Sequence, residues 1–256
     1  MEYYRLALYI IFGILPSLIW LLYYLAKDMH PEPKKMILKV FFWGAVATIP
    51  TLFFQIIFTE ALNQFQYLSV FYSPEISGYL PAINNLTKWF VIIAFTEELF
   101  KYLVVRWIVF QSGELDEPLD IMLYMVVAAL GFATLENTLY LFSPIDGLSF
   151  DMVLKTTVII SFLRFIGATF LHTLCSGLVG YFMALSSLRL KHRFRLTILG
   201  LFLAVLLHGL YNFSIINLRF PFNVAIPGLV IFGLAAFMIY DFDGIKKFKS
   251  IVKLKS

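Results

Sequence analysis

The chain has 256 residues, of which 61% are hydrophobic, 18% aromatic and only 14% charged, with a net charge of +4 and a mean hydropathy of +0.84. A soluble globular domain carries about 25% charged residues, so this composition excludes one and describes an integral membrane protein, with stretches of about 20 apolar residues, enough to cross a ~30 Å core, along almost its whole length. The basic excess does not point to nucleic acid, because lysine and arginine sit in short clusters between apolar stretches, and the single cysteine, Cys175, excludes an intrachain disulfide and a zinc cluster built on several thiolates.

The fold class expected is all-α and polytopic, with about seven transmembrane helices and an eighth possible. The first apolar run, about residues 3 to 26, is too long for a signal-peptide core and has no small-residue cleavage site, so it reads as a retained span. Further helices are expected at about 38–60, 86–110, 119–142, 165–188, 196–217 and 225–241. Residues 61–85 contain no lysine or arginine, which suits an external segment. The stretch "FDMVLKTTVIISFLR" at 150–164 reads as a short amphipathic or re-entrant helix rather than an eighth span, which would invert the later basic clusters. With seven spans, Lys27, Lys34, Lys35 and Lys39, then Arg189, Lys191, Arg193 and Arg195, then the lysines from Lys246 onward all fall on one side. The positive-inside rule makes that side cytoplasmic and puts the N-terminus outside. One transmembrane domain over 1–256, ending in a basic cytoplasmic tail at 242–256, is the organisation expected.

Charged groups inside such spans are expensive and mark function or tight pairing. "FTEELFK" places Glu97, Glu98 and Lys101 in the third helix; "TLENT" adds Glu136 and Asn137, "LRF" Arg164, "FLHTL" His172 and "LLHGLYNF" His208 and Asn212. Lys101 lies four residues from Glu97 and three from Glu98, so both pairs can meet on a helix surface. The adjacent glutamates point about 100° apart and cannot do the same job. Glu98 with Lys101 reads as an internal ion pair, and Arg106 and Arg164 as arginines snorkelling to an interface. His208 and Asn212, four apart, share a face beside Gly209. From the helix boundaries, Glu97, Glu136, His172 and His208 all lie about 9 to 16 Å below the outer face, in one layer.

A carboxylate, two imidazoles and an amide are equipment for activating water and stabilising an oxyanion, so hydrolysis is the chemistry expected. "HExxH" and "GxGD" are absent, and "TLCSG" lacks the first glycine of a "GxSG" serine site. A proton-coupled transporter or channel with a Glu/His relay is the alternative from another class; it lacks paired repeats. A noncatalytic scaffold leaves the co-layered polar groups unexplained.

The set Glu97-Glu98-x-x-Lys101, "GFATLEN" from Gly131, His172 and "HGLYN" from His208, with Glu32-Pro33 upstream, resembles the motifs of the PrsW family over roughly residues 15–215. This family is related to the CAAX prenyl proteases and bacteriocin-processing enzymes. The resemblance implies that Glu97 is the general base, that His172 helps position water, and that His208 and Asn212 form an oxyanion site, with Glu136 matching the family's "LEN" glutamate. Asn212 matches the CAAX "HxxxN" pattern, where other PrsW-like chains can carry an acid. The resemblance also implies single-pass membrane protein substrates of the anti-sigma-factor type, cut near the extracytoplasmic end of the span. No cofactor is the expectation; zinc held by Glu97, His172 and His208 is the alternative. The partners expected are such a substrate and the lipid bilayer.

Overall fold

The computed structural model describes residues 2–27, 30–72, 79–142, 149–188 and 192–245. The tail from 246 and, of the basic clusters, Arg189 and Lys191 lie outside them. Among the described residues every regular element is helical: α1 (Glu2–Lys27), α2 (Lys34–Tyr72), α3 (Leu80–Leu86), a π-helical segment π1 (Thr87–Phe95), α4 (Thr96–Ile108), α5 (Pro118–Leu141), α6 (Phe150–Arg164), a second π segment π2 (Phe165–Thr169), α7 (Phe170–Leu188), α8 (Arg193–Asn217) and α9 (Phe222–Ile245). Among the described residues six stretches are long and apolar enough to cross a membrane: Tyr3–Lys27, Lys34–Leu68, Pro118–Leu141, Phe150–Leu188, Arg193–Asn217 and Phe222–Tyr240. The remaining expected helix is the run α3–π1–α4, which carries the three charges of "TEELFK".

Two boundaries differ from expectation. Helix α2 runs for 39 residues rather than ending near 60, because no glycine or proline follows Pro50 within it. The segment 150–164 is helical as expected, yet it joins α7 through π2 into one 39-residue rod instead of standing apart as a separate interfacial helix. Nothing between Phe162 and Phe170 stops a helix, and the junction widens into a π turn rather than breaking.

The centre of the bundle is α5. It begins with Pro118 in the first turn and a reciprocal capping box between Glu117 and Asp120, which satisfies backbone donors that would otherwise be orphaned. Every residue from Pro118 to Ala133 is buried, with α1, α2, α4 and α7 packed around it. A helix apolar all round is expected only at such a position.

The closest approach is to α2. A Cβ on Gly131 would collide with the Phe41 carbonyl, and one on Gly44 with the Ala128 carbonyl, so the two glycines let the backbones touch, the usual way membrane helices gain contact without a hydrophobic driving force. Thr48 closes the seam by donating to the Phe132 carbonyl at 3.2 Å. Gly131→Val should therefore push α5 off α2 and lower stability by about 1–3 kcal/mol, read as a drop in thermal unfolding temperature in detergent. Gly113→Ala, where nothing lies within 4 Å of the added carbon, should leave that temperature unchanged.

Candidate active site

Four helices bring their polar residues to one place beside α5. The first turn of α4 supplies Glu97 and Glu98 and its next turn Lys101; α5 supplies Glu136, α7 His172 and α8 His208. Both π segments end just before a site residue, π1 before Thr96-Glu97 and π2 before Phe170 and His172. A π turn fits extra residues into a helix and rotates the next turn about the axis, a device common at functional sites. Behind His172, Trp20 of α1 donates to the Phe165 carbonyl at 3.0 Å and stacks on Phe170 with centroids 4.3 Å apart, fixing π2 against the bundle.

Glu98 and Lys101 are fully buried at 0% exposure. Lys101 Nζ donates to Glu98 Oε1 at 2.8 Å and lies 2.8 Å from His172 Nδ1, with its charge over the Phe132 ring, 4.7 Å from the centroid. The Glu98 carboxylate also meets His208 Nδ1 at 2.8 Å and accepts from Ser176 Oγ at 3.0 Å. Three donors thus converge on a carboxylate that water does not reach. The ion pair expected between Glu98 and Lys101 is present, and Ser176 serves it as a donor.

Glu136 is only partly covered, its side chain 17% exposed, and pairs with Arg164 at 2.7 Å. His172 Nε2 lies 2.9 Å from the same carboxylate oxygen. Arg164 corrects an expectation. It does not snorkel to an interface but turns inward, donating to Glu136 and Asn137, with its guanidinium 3.9 Å from the centre of the Tyr140 ring. Its charge is worth more beside Glu136 than at the surface, because an unpaired carboxylate there would be left in low dielectric. Asn137 completes the chain by donating to Thr169 at 2.9 Å.

These contacts decide which ring nitrogens carry protons. A carboxylate can only accept, so His172 donates from Nε2 to Glu136 and His208 from Nδ1 to Glu98. In the neutral rings His172 Nδ1 and His208 Nε2 are then lone pairs, and the Lys101 ammonium beside His172 Nδ1 agrees with that choice. Both lone pairs face Glu97, whose Oε2 is 3.9 Å from His172 Nδ1, 3.6 Å from His208 Nε2 and 3.9 Å from Lys101. Glu97 Oε1 accepts from Gln55 Nε2 of α2 at 3.2 Å, whereas Oε2 is buried without a hydrogen-bond partner. One ligand atom each from Glu97, His172 and His208 fall within 4.8 Å of one another, close enough to hold a metal ion.

Residues 32–240 match the family described as PrsW family intramembrane metalloprotease. The chain belongs to the PrsW family. It is 30% identical to Protease PrsW of Oceanobacillus iheyensis over 201 residues, which is 78% of this chain and 80% of that protein. Protease PrsW of Bacillus subtilis is 28% identical over 85% of this chain and 87% of its own length, and that of Clostridioides difficile 25% identical over 92% and 89%. No solved structure matches. Membership in PrsW makes the chain a multi-pass membrane protein and a peptidase of the intramembrane type, and sets the transporter alternative aside.

Asn212 stands apart. It is half-buried one turn beyond His208, and none of the hydrogen bonds that join the carboxylates, histidines and Lys101 involves it. Sequence reasoning missed Gln55 and Thr169. The only signal for Gln55 was an amide inside the apolar run "TLFFQIIFT". The two glutamates now separate experimentally. Glu98→Gln should cost about 3–5 kcal/mol, because it strands the buried Lys101 charge. Glu97→Gln keeps the contact from Gln55 and should change stability by less than about 1 kcal/mol. Paired unfolding curves in detergent check the contrast.

Proposed function

We propose that this chain cleaves single-pass membrane proteins inside the bilayer by a water that Glu97 activates. The observation that carries this reading is Glu97 Oε2, an unpartnered buried oxygen 3.6 Å from the uncommitted lone pair of His208 Nε2. Lys101 already serves the His172 lone pair, so a water between Glu97 and His208 has acceptors for its two hydrogens and its oxygen free to attack. As that oxygen bonds to the scissile carbonyl carbon, a proton passes to Glu97 Oε2. The same proton goes on to the amide nitrogen as the C–N bond breaks, leaving a carboxylic acid, which keeps the second water proton, and an amine.

Lys101 supports the negative charge that develops on the carbonyl oxygen, with a strength that the water-poor surroundings increase. Glu98 and Glu136 fix the ring tautomers and orientations of His208 and His172. His208, with a lone pair directed at Glu97, holds water in this reading and does not donate to an oxyanion. Asn212 is assigned to the substrate side of the same helix face.

A second reading has its own support. Carboxylate-backed histidines presenting lone pairs, together with a carboxylate, form a donor set suited to Zn²⁺, and the cluster's three carboxylates outnumber its two cations, Lys101 and Arg164. Glu97, His172 and His208 would hold the ion, which supplies Lewis acidity for water and carbonyl activation. Lys101 would then keep Glu98 as its partner.

Substrates of the anti-sigma-factor type, cut near the extracytoplasmic end of their span, fit this placement, because the basic clusters put the cytoplasm on the side away from the site layer. Product termini mapped by mass spectrometry should lie at that end. Glu97→Gln should lower the cleavage rate by about 10²- to 10⁴-fold in folded protein, measured on a labelled single-span substrate in detergent or vesicles. Chelator-treated protein with substoichiometric zinc should remain active under the first reading; stoichiometric zinc lost together with activity establishes the second.

A further inference from the structure

The catalytic cluster is closed to water on the α5 side, yet one wall of its surroundings opens toward lipid. Between the second half of α2 and the run π1–α4 lies an open groove of about 390 Å³. Phe58, Leu62 and Phe65 line one side and Val91, Phe95 and Thr96 the other. Four of these, Phe58, Phe65, Val91 and Phe95, are exposed. Polar contacts bound the apolar seam at each end. At one end Asn84 donates to Gln66 of α2 at 2.8 Å; at the other Gln55 donates to Thr96 at 3.4 Å and to Glu97 at 3.2 Å. Gln55 and Gln66 are about 16 Å apart along α2, roughly half the hydrocarbon thickness.

We propose that this groove binds the membrane-spanning segment of the substrate and leads its scissile bond to Glu97, so that the seam between α2 and π1 is the lateral opening of the active site; the proposal rests on the peptidase function proposed for Glu97. The groove does not end blindly, since Thr96 in its wall is the neighbour of Glu97. A lipid chain could fill its apolar length but has no use for the amide at its inner end. A peptide does: a span entering from lipid has its carbonyls bonded within its own helix and must unwind before hydrolysis. The Gln55 amide, beside the catalytic carboxylate, has its N–H donors on Thr96 and Glu97 and offers its carbonyl oxygen as an acceptor to the freed backbone N–H groups. The apolar walls take the part of the segment that remains helical. Gln66 and Asn84 form the latch at the far end, joined by a hydrogen bond that a bound segment can part.

The test uses the full-length protein in phosphatidylcholine vesicles, with photoreactive benzoylphenylalanine placed singly at Phe58, at Val91 and, as the comparison face, at Phe232 of α9, which is 76% exposed. The probe is a biotin-labelled synthetic span of about 20 leucine and alanine residues with a Gly-Ser step near one end and lysine flanks. Peptide adducts at Phe58 and Val91, well above those at Phe232, are expected. Ala61→Trp, which fills the groove, should lower the Val91 adduct roughly tenfold. Phe65→Ala, which removes contact without adding bulk, should lower it as well. Equal labelling at Phe232, lipid adducts alone at Phe58 and Val91, or a yield unchanged by both variants overturns the proposal. Cleavage of the same peptide is followed in parallel. A peptide captured in the groove but never cut counts against the peptidase reading and not the groove, whereas a peptide cut but captured elsewhere counts against the groove alone.

Discussion

A lysine with no exposure to water, in a bundle surrounded by hydrocarbon, is the constraint around which the site is arranged. The desolvation of one ion costs several kcal/mol even after relaxation, so the Lys101 ammonium requires a close carboxylate and further hydrogen bonds. Glu98 provides the first and His172 Nδ1 the second, with the Phe132 ring adding its negative face. Once Lys101 claims Glu98, that carboxylate also fixes His208, and Lys101 fixes the lone pair of His172. Glu97 is then the carboxylate left over. Its freedom is a consequence of how completely its neighbour is used.

The scaffold makes that arrangement possible by giving α5 an entirely buried position and letting α2 lie directly against it. Gly44 packs on the Ala128 carbonyl and Gly131 on the Phe41 carbonyl, near the Thr48–Phe132 hydrogen bond, so the α2 wall that carries Gln55 is held at a defined distance from the cluster. On the other side α7 and α8 bring their histidine rings edge to face, with centroids 5.1 Å apart. Rigid, close-packed helices on the α5 side contrast with the open groove between α2 and π1. A hydrolase working on a membrane span needs both, a fixed constellation for chemistry and one face through which the chain can arrive from lipid.

The two mechanistic readings share every residue and differ in what Glu97 Oε2 holds. Carboxylate support behind each imidazole serves either: it fixes the tautomer for a water that donates to His208, and it equally raises the basicity of a ring that binds a cation. Lys101 is where the two differ: the water reading keeps it on the His172 lone pair, and the ion reading leaves it with Glu98 alone. The family description names a metalloprotease, which keeps the ion reading in direct competition and makes metal content the deciding measurement.

The sequence by itself determined that the chain is a helical membrane protein, where most of its spans lie, and which polar residues had to find one another. Hydropathy and helical periodicity are local, and the cost of an ionisable group in hydrocarbon is large enough to single out Glu97, Glu98, Lys101, Glu136, His172 and His208 without a fold. The i,i+3 spacing also sufficed for the Glu98–Lys101 pair, since both partners sit on one helix. Tertiary structure decided what crosses between helices. Arg164 read as a snorkelling residue because its partner Glu136 is 28 positions away in the chain, and only the packing separates Asn212 from the hydrogen bonds that hold His208, since sharing a face says nothing about which part of that face meets the cluster. Gln55 was one amide in an apolar run until α2 was placed against α4. The division of labour between Glu97 and Glu98 was likewise undecided by adjacency: it depends on three donors, from Lys101, Ser176 and His208, two of them on other helices, converging on one carboxylate and leaving an oxygen of the other free.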